Sequence, residues 1–82
     1  MKKTVEVRFL VDVEVDETKF TEQWMKDFRE SFYPFYDIDD HIKHIAQLEA
    51  REILTPVFVE GYGALKTMGI KAEVVGAEME IS

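Results

Sequence analysis

Residues Val5 to Val15 read "VEVRFLVDVEV", and their alternation decides the architecture. Val5, Val7, Phe9, Val11, Val13 and Val15 fall on one side, against Glu6, Arg8, Leu10, Asp12 and Glu14 on the other. Successive side chains of a strand point to opposite faces, so this is a long strand with one apolar and one largely charged face. The charged face is expected in water and the apolar face under helices. The far end of the chain, "GIKAEVVGAEMEIS", alternates too but changes phase: Ile70, Ala72 and Val74 share one parity, and Val75, Ala77, Met79 and Ile81 the other. One extra residue within Val74-Val75-Gly76 returns both sets to a common face, which predicts a second strand carrying a β-bulge.

Two amphipathic segments lie between the strands. In "FTEQWMKDFRESF", Phe20, Trp24, Met25, Phe28 and Phe32 form one stripe at about 100° per residue, with Glu22, Lys26, Arg29 and Glu30 opposite. Thr21 is the expected N-cap, with Asp16 as its rival, and Phe20 and Met25 are placed to form a hydrophobic staple. Pro34 stops this helix, and "FYPFY" reads as an aromatic corner closing the core. In "YDIDDHIKHIAQLEAREIL", residues 36–54, three aspartates and two histidines crowd between Asp37 and His44. With Asp37 as N-cap, Asp39 and Asp40 enter the first turn, where carboxylates meet unpaired N–H groups, so capping accounts for all three acids. Asp39 with Lys43, and Asp40 with His44, are i,i+4 contacts of about 0.2–0.5 kcal/mol each.

On this second helix Ile38, Ile42, Ile45, Ala46 and Ile53 share a face. His41 sits at its edge and His44 turns toward Arg51 and solvent. Glu49 projects to the middle of the apolar face and Glu52 lies near its edge, so each needs a partner, a proton or an interface. Thr55-Pro56 is a natural cap and first turn. Beyond it Phe58, Tyr62, Leu65 and Met68 recur at helical spacing, and Gly69 suits the position just past a helix end. Gly61 and Gly63 weaken such a helix by about 1 kcal/mol each, so residues 56–68 fit either a helix or two short turns. The expected fold is α+β: two long antiparallel-type strands, N- and C-terminal, with two to three helices on one face in the order β-α-α-(α)-β.

Eighty-two residues form a single domain, 1–82, near the size where one core is only marginally stabilising. The chain has no cysteine, so neither disulfides nor thiolate metal sites compensate, and a cytoplasmic setting is expected. Charged residues interrupt the N-terminal apolar ones, giving no signal-type core, and no apolar run approaches the roughly 20 residues of a membrane span. The net charge is −7, and residues 21–40 carry six acids against Lys26 and Arg29. Without clustered Lys and Arg, nucleic acid is excluded as the expected partner, whereas a basic protein partner fits.

His41 and His44 are spaced as i,i+3 metal ligands, but nothing supplies a third and fourth, so no metal and no cofactor are expected. "GYG" lacks the lysine, hydroxyl residue and further glycines of a phosphate loop. No Ser or Thr stands in a nucleophile pattern beside a histidine, which leaves no catalytic assignment. The residues retained as binding candidates are Asp37, Asp39, Asp40, His41, Glu49 and Glu52.

Together "WMKDFRESFYPF", "DDHIKHIAQLEAR" and "VEGYGALKTMGI" resemble small uncharacterised proteins of phages, prophages and other mobile elements, grouped as a domain of unknown function. The resemblance spans nearly the whole chain and brings no activity or site residues with it. It implies a setting in which small acidic proteins act by binding a host or phage component. The leading expectation is therefore a non-enzymatic adaptor or inhibitor. One alternative is a ligand-binding or enzymatic module with a pocket between sheet and helices, using His41 with Glu49 or Glu52. Another is a structural homodimer. Two strands leave two open edges, and pairing of the regular first strand with its copy predicts a homodimer or higher oligomer.

Overall fold

The structure is a computed structural model and describes residues 1–55 and 57–81. Pro56 of the expected Thr55-Pro56 start, and Ser82 at the end of the second alternating segment, lie outside the described residues. The order is β1 (Val5–Glu14), a single 3-10 turn (Glu17–Lys19), α1 (Glu22–Ser31), α2 (Ile38–Ala50) and β2 (Lys71–Ile81). The fold is thus α+β in β-α-α-β order. β1 and β2 pair antiparallel, from Val5 opposite Ile81 to Glu14 opposite Lys71. Leu10 faces Gly76 and Val11 faces Val74, so Val75 is the extra residue of a bulge where the parity of the sequence requires one.

Both helices start on their expected caps. The Thr21 hydroxyl accepts from the Trp24 N–H, and the Asp37 carboxylate accepts from the Asp40 N–H. Asp16 caps the 3-10 turn instead, with its carboxylate held below the usual range by the hydroxyl and N–H of Thr18. α2 is shorter than its apolar pattern: it ends at Ala50, so Glu52 and Ile53 are not helical. Ile53 N–H bonds the Leu48 carbonyl and Glu52 N–H that of Glu49, the two bonds of a Schellman stop. Glu52 takes the left-handed conformation this stop requires, at φ 59°.

Residues 57–69 form turns rather than a third helix. Gly61 and Gly63 adopt φ of 89° and 72°, which no right-handed helix contains, and Val59 and Gly63 bridge across them. A Cβ at Gly61 would stand 2.4 Å from Cε2 of Phe28, so this backbone lies directly on the core ring. Phe58 is exposed while Tyr62, Leu65 and Met68 are buried, and Ile70 follows them in. This irregular segment joins Phe20, Phe28 and Ile45 in the core, with Val13, Val15, Trp24, Phe35 and Leu54 packed around it.

The core fills one end only. The molecule measures 51 × 23 × 18 Å with a radius of gyration of 14.9 Å, whereas a compact chain of this length would be near 12 Å. Residues 5–10, paired with 76–81, account for the excess: at about 3.3 Å per residue they project roughly 20 Å as a two-stranded ribbon. The helices cover the inner part of the sheet and leave this outer part bare. α1 and α2, of 10 and 13 residues, are about 15 and 20 Å long, too short for a strand of 10 residues spanning about 34 Å.

Candidate functional site

Four places hold the residues singled out by sequence. The most enclosed is His41, expected at the edge of the apolar face and in fact 0 % exposed. Its ring lies 4.7 Å from Phe28, 5.1 Å from Phe35, 5.3 Å from Trp24 and 5.5 Å from Phe20, centroid to centroid. Nδ1 is 2.9 Å from the Tyr62 hydroxyl, and Nε2 has no hydrogen-bond partner. Burial disfavours charge on both partners. It lowers the His41 pKa, with His44 and Arg29 adding to the effect and Asp40 and Asp37 opposing it, and it raises that of Tyr62.

We assign the phenol as donor to Nδ1, leaving the proton on Nε2, because aromatic faces accept an N–H weakly but offer a bare lone pair nothing. His41 is therefore a neutral core histidine. Its ring is fully enclosed, and its lone-pair nitrogen is occupied by Tyr62. His44 is half-buried against Tyr33 and Phe35 at 5.0 and 5.4 Å, sharing Phe35 and Tyr62 with His41 as ring neighbours. Among the described residues no three His, Asp or Glu side chains group at metal-binding distance.

The helix start is the second place. Asp37 is the N-cap and Asp40 accepts the Tyr36 N–H at 3.2 Å, so two of the three aspartates are engaged by backbone. Asp39 is exposed. The i,i+4 contacts expected with Lys43 and His44 do not form; among the described residues the ion pair within 4 Å is Arg8 with Glu6, at 2.9 Å. The "FYPFY" corner is divided. Phe35 packs inward and stacks on Tyr33, while Tyr36 is exposed beneath the guanidinium of Arg29, which also donates to the Phe35 carbonyl.

Glu49 and Glu52 part company. Glu52 sits exposed on the Schellman turn, away from the apolar face assigned to it. Glu49 is half-buried at the rim of an open groove of about 440 Å³ floored by Leu54, Leu65, Ile70 and Ala72 and flanked by Lys66 and Lys71. His41 does not line this groove, so the expected pocket combining His41 with Glu49 or Glu52 is not assembled.

The ribbon is the fourth place, and sequence reading marked its strands without marking its exposure. One face carries Val5, Val7 and Phe9 opposite Ile81, Met79 and Ala77. Val5, Val7 and Phe9 are each nearly half exposed, Ile81 68 % and Met79 75 %. The other face of the whole sheet pairs Glu6 with Glu80 and Arg8 with Glu78 on the ribbon, and Asp12 with Glu73 and Glu14 with Lys71 on the inner part, six acids against two bases. Two of these pairs set like charges directly opposite, an unfavourable arrangement in a sheet. A contiguous apolar strip bounded by charge marks an interaction surface more often than an accident of packing. The usable signal was length, since the helices predicted from sequence are too short to roof the predicted strands.

Comparison of the chain with protein-family models, curated proteins and solved structures gives no match. Among the described residues no helix is long and apolar enough to cross a membrane.

Proposed function

We propose that the protein is a non-enzymatic protein-binding module, an adaptor or inhibitor, whose working surface is the projecting ribbon. The observation that carries this reading is the uncovered strip of Val5, Val7, Phe9, Ala77, Met79 and Ile81 on a sheet with two open edges. Such a sheet binds proteins by adding a strand to an edge and seating side chains on the apolar face. Association of the chain with itself falls within this reading. A basic partner would meet the acidic reverse face, in keeping with a role in a mobile element and a reducing compartment. Asp37 and Asp40, committed to backbone, contribute less to such a surface than Glu6, Glu78 and Glu80.

The groove beside Glu49 favours a second reading, a small-ligand module. Its apolar floor and flanking lysines suit an amphipathic carboxylate. The two readings separate by capture from a cell lysate on immobilised protein. The first expects species retained by wild type to be lost with Val7→Asp/Met79→Asp and kept with Glu49→Gln. Equal retention by the ribbon variant and wild type would overturn it.

A further inference from the structure

We infer that the ribbon's partner is a second copy of this chain, joined antiparallel along the open edge of β1 with the two-fold axis at Val7. This rests on the ribbon being a protein-binding surface and specifies what binds there. All of Val5–Leu10 is exposed, and α2 reaches this stretch only at Phe9 and Leu10, which share an open groove with Ala46, Gln47 and Ala50, so the edge is accessible where pairing would do most.

Backbone geometry restricts the possible alignments. The outward N–H and C=O groups of an edge strand alternate with inward ones, and the faces alternate likewise. Two copies of one strand can therefore pair only when the axis passes through a residue, odd facing odd and even facing even. Charge then chooses among the centres. An axis at Glu6 or Arg8 sets that residue against its own copy, and one at Val5 sets Lys2 against Arg8. Centres at Phe9 and Leu10 oppose Glu6 to Asp12 and to Glu14.

A centre at Val7 sets Glu6 opposite Arg8 of the second copy, twice by symmetry, and brings Asp12 level with Lys2, which precedes the start of β1 at Val5, with no like charges facing. These two acids are the ones in β1 that face glutamates, Glu80 and Glu73, within their own chain. The alignment thus adds the second copy's Arg8 opposite Glu6, which already holds Arg8 of its own chain at 2.9 Å, and brings a cation level with Asp12, which has only Glu73 across the intramolecular sheet. It also stacks Val5 against Phe9 and Val7 against its own copy on the apolar side. The nearest rival, a centre at Val11, matches Arg8 with Glu14 but carries Val5 and Val7 beyond the end of the other strand.

The product is a four-stranded sheet in the order β2-β1-β1-β2, closed by its two-fold axis, with both apolar strips on one side. Its outer edges are the two β2 strands. These carry the bulge at Val75 and the glutamates 73, 78 and 80, features that discourage further pairing.

The absence of cysteine makes the test clean. Residues facing each other across a two-fold axis bring Cα atoms within about 4.5–5.5 Å, inside the range of a disulfide. Under mild oxidation Val7→Cys should convert to a covalent dimer and Val11→Cys should not, both having been shown folded by circular dichroism. Arg8→Glu should weaken the non-covalent dimer at least tenfold by sedimentation equilibrium, and Glu6→Arg/Arg8→Glu should restore it. Cross-linking at position 11 in place of 7, or failure of the double exchange to restore the dimer, would overturn the alignment. A wild-type monomer at 200 µM would overturn the second-copy partner alone if the ribbon variant still lost captured proteins, and the broader reading as well if it did not.

Discussion

The inner and outer halves of β1 carry the same alternation and meet different fates. Val11 and Val13, with Val15 just past the strand's end, are half-buried, while Val5, Val7 and Phe9 stand in the open. Periodicity therefore reports which face is apolar and is silent on whether the chain itself provides the cover. The cover ends where the helices end.

The largest expected effect separates head from ribbon directly. Phe28 touches Trp24, Tyr62, Phe35 and His41 within 6 Å between centroids and lies under Gly61. Phe28→Ala should cost about 3–5 kcal/mol in urea melts, enough to unfold a domain this small. Met79→Ala, on the ribbon, should cost about 0.5 kcal/mol or less when measured on dilute protein. Comparable losses would mean that the ribbon is packed after all.

A second contrast lies within the turn segment. Gly61→Ala meets the Phe28 ring, adding about 1–3 kcal/mol of overpacking to the 1–2 kcal/mol of a left-handed non-glycine residue. Gly63→Ala meets nothing within 4 Å and should show only the conformational part. Equal destabilisation by the two, read from thermal melts, would remove the argument that this backbone rests on the core.

The head should also be the part that senses pH. Burial lowers the pKa of both His41 and His44 below the ordinary 6.5, so the folded state binds fewer protons than the unfolded chain. Stability held above pH 6.5 is then lost progressively as pH falls toward the depressed folded values. Urea midpoints should drop between pH 7.5 and 5. A flat profile would indicate that His41 finds a proton-tolerant environment.

How far these features were legible follows from range in sequence. The Val75 bulge was visible because a strand has a period of two and any change of parity demands an insertion. The Thr21 and Asp37 caps were visible because a cap acts within three residues. His41 was misplaced because its partner, Tyr62, comes from 21 residues further along and closes the chamber from outside the helix. Residues 56–68 stay open in the sequence between a helix and two short turns for a related reason: turns around Gly61 and Gly63 bring Tyr62, Leu65 and Met68 to one side as a helix would. Side-chain spacing alone does not distinguish the two backbones.

The end of α2 yields a smaller effect, and a gain. A Schellman stop places its C′ residue at positive φ, where Glu52 carries a Cβ that glycine would lack. Glu52→Gly should stabilise the head by about 0.5–1 kcal/mol, part of the relief being offset by the freer unfolded chain. A loss of stability would show that the Glu52 carboxylate makes a contact worth more than the strain.

The smallest effect on stability is expected at the bulge, where the consequence for association is larger. Deleting Val75 lets Val74 remain opposite Val11 and Gly76 opposite Leu10, so every pairing and every face is preserved and the ladder becomes regular. Val75 itself is half exposed, so its removal should alter stability by about 0.5 kcal/mol or less. The β2 edge, however, would lose the irregularity that blunts it, retaining only its glutamates as protection. The ribbon would then present two straight edges in place of one, and pairing of β2 with a neighbouring β1 generates an open-ended array rather than a closed dimer. Light scattering at rising concentration should show growth beyond dimers for the deletion and not for wild type, with Glu78→Lys in the deletion background enhancing it by removing a repulsive charge. A deletion variant that stays at the wild-type size would show that the glutamates alone guard that edge, and that the bulge serves only to keep the two apolar sets on one face.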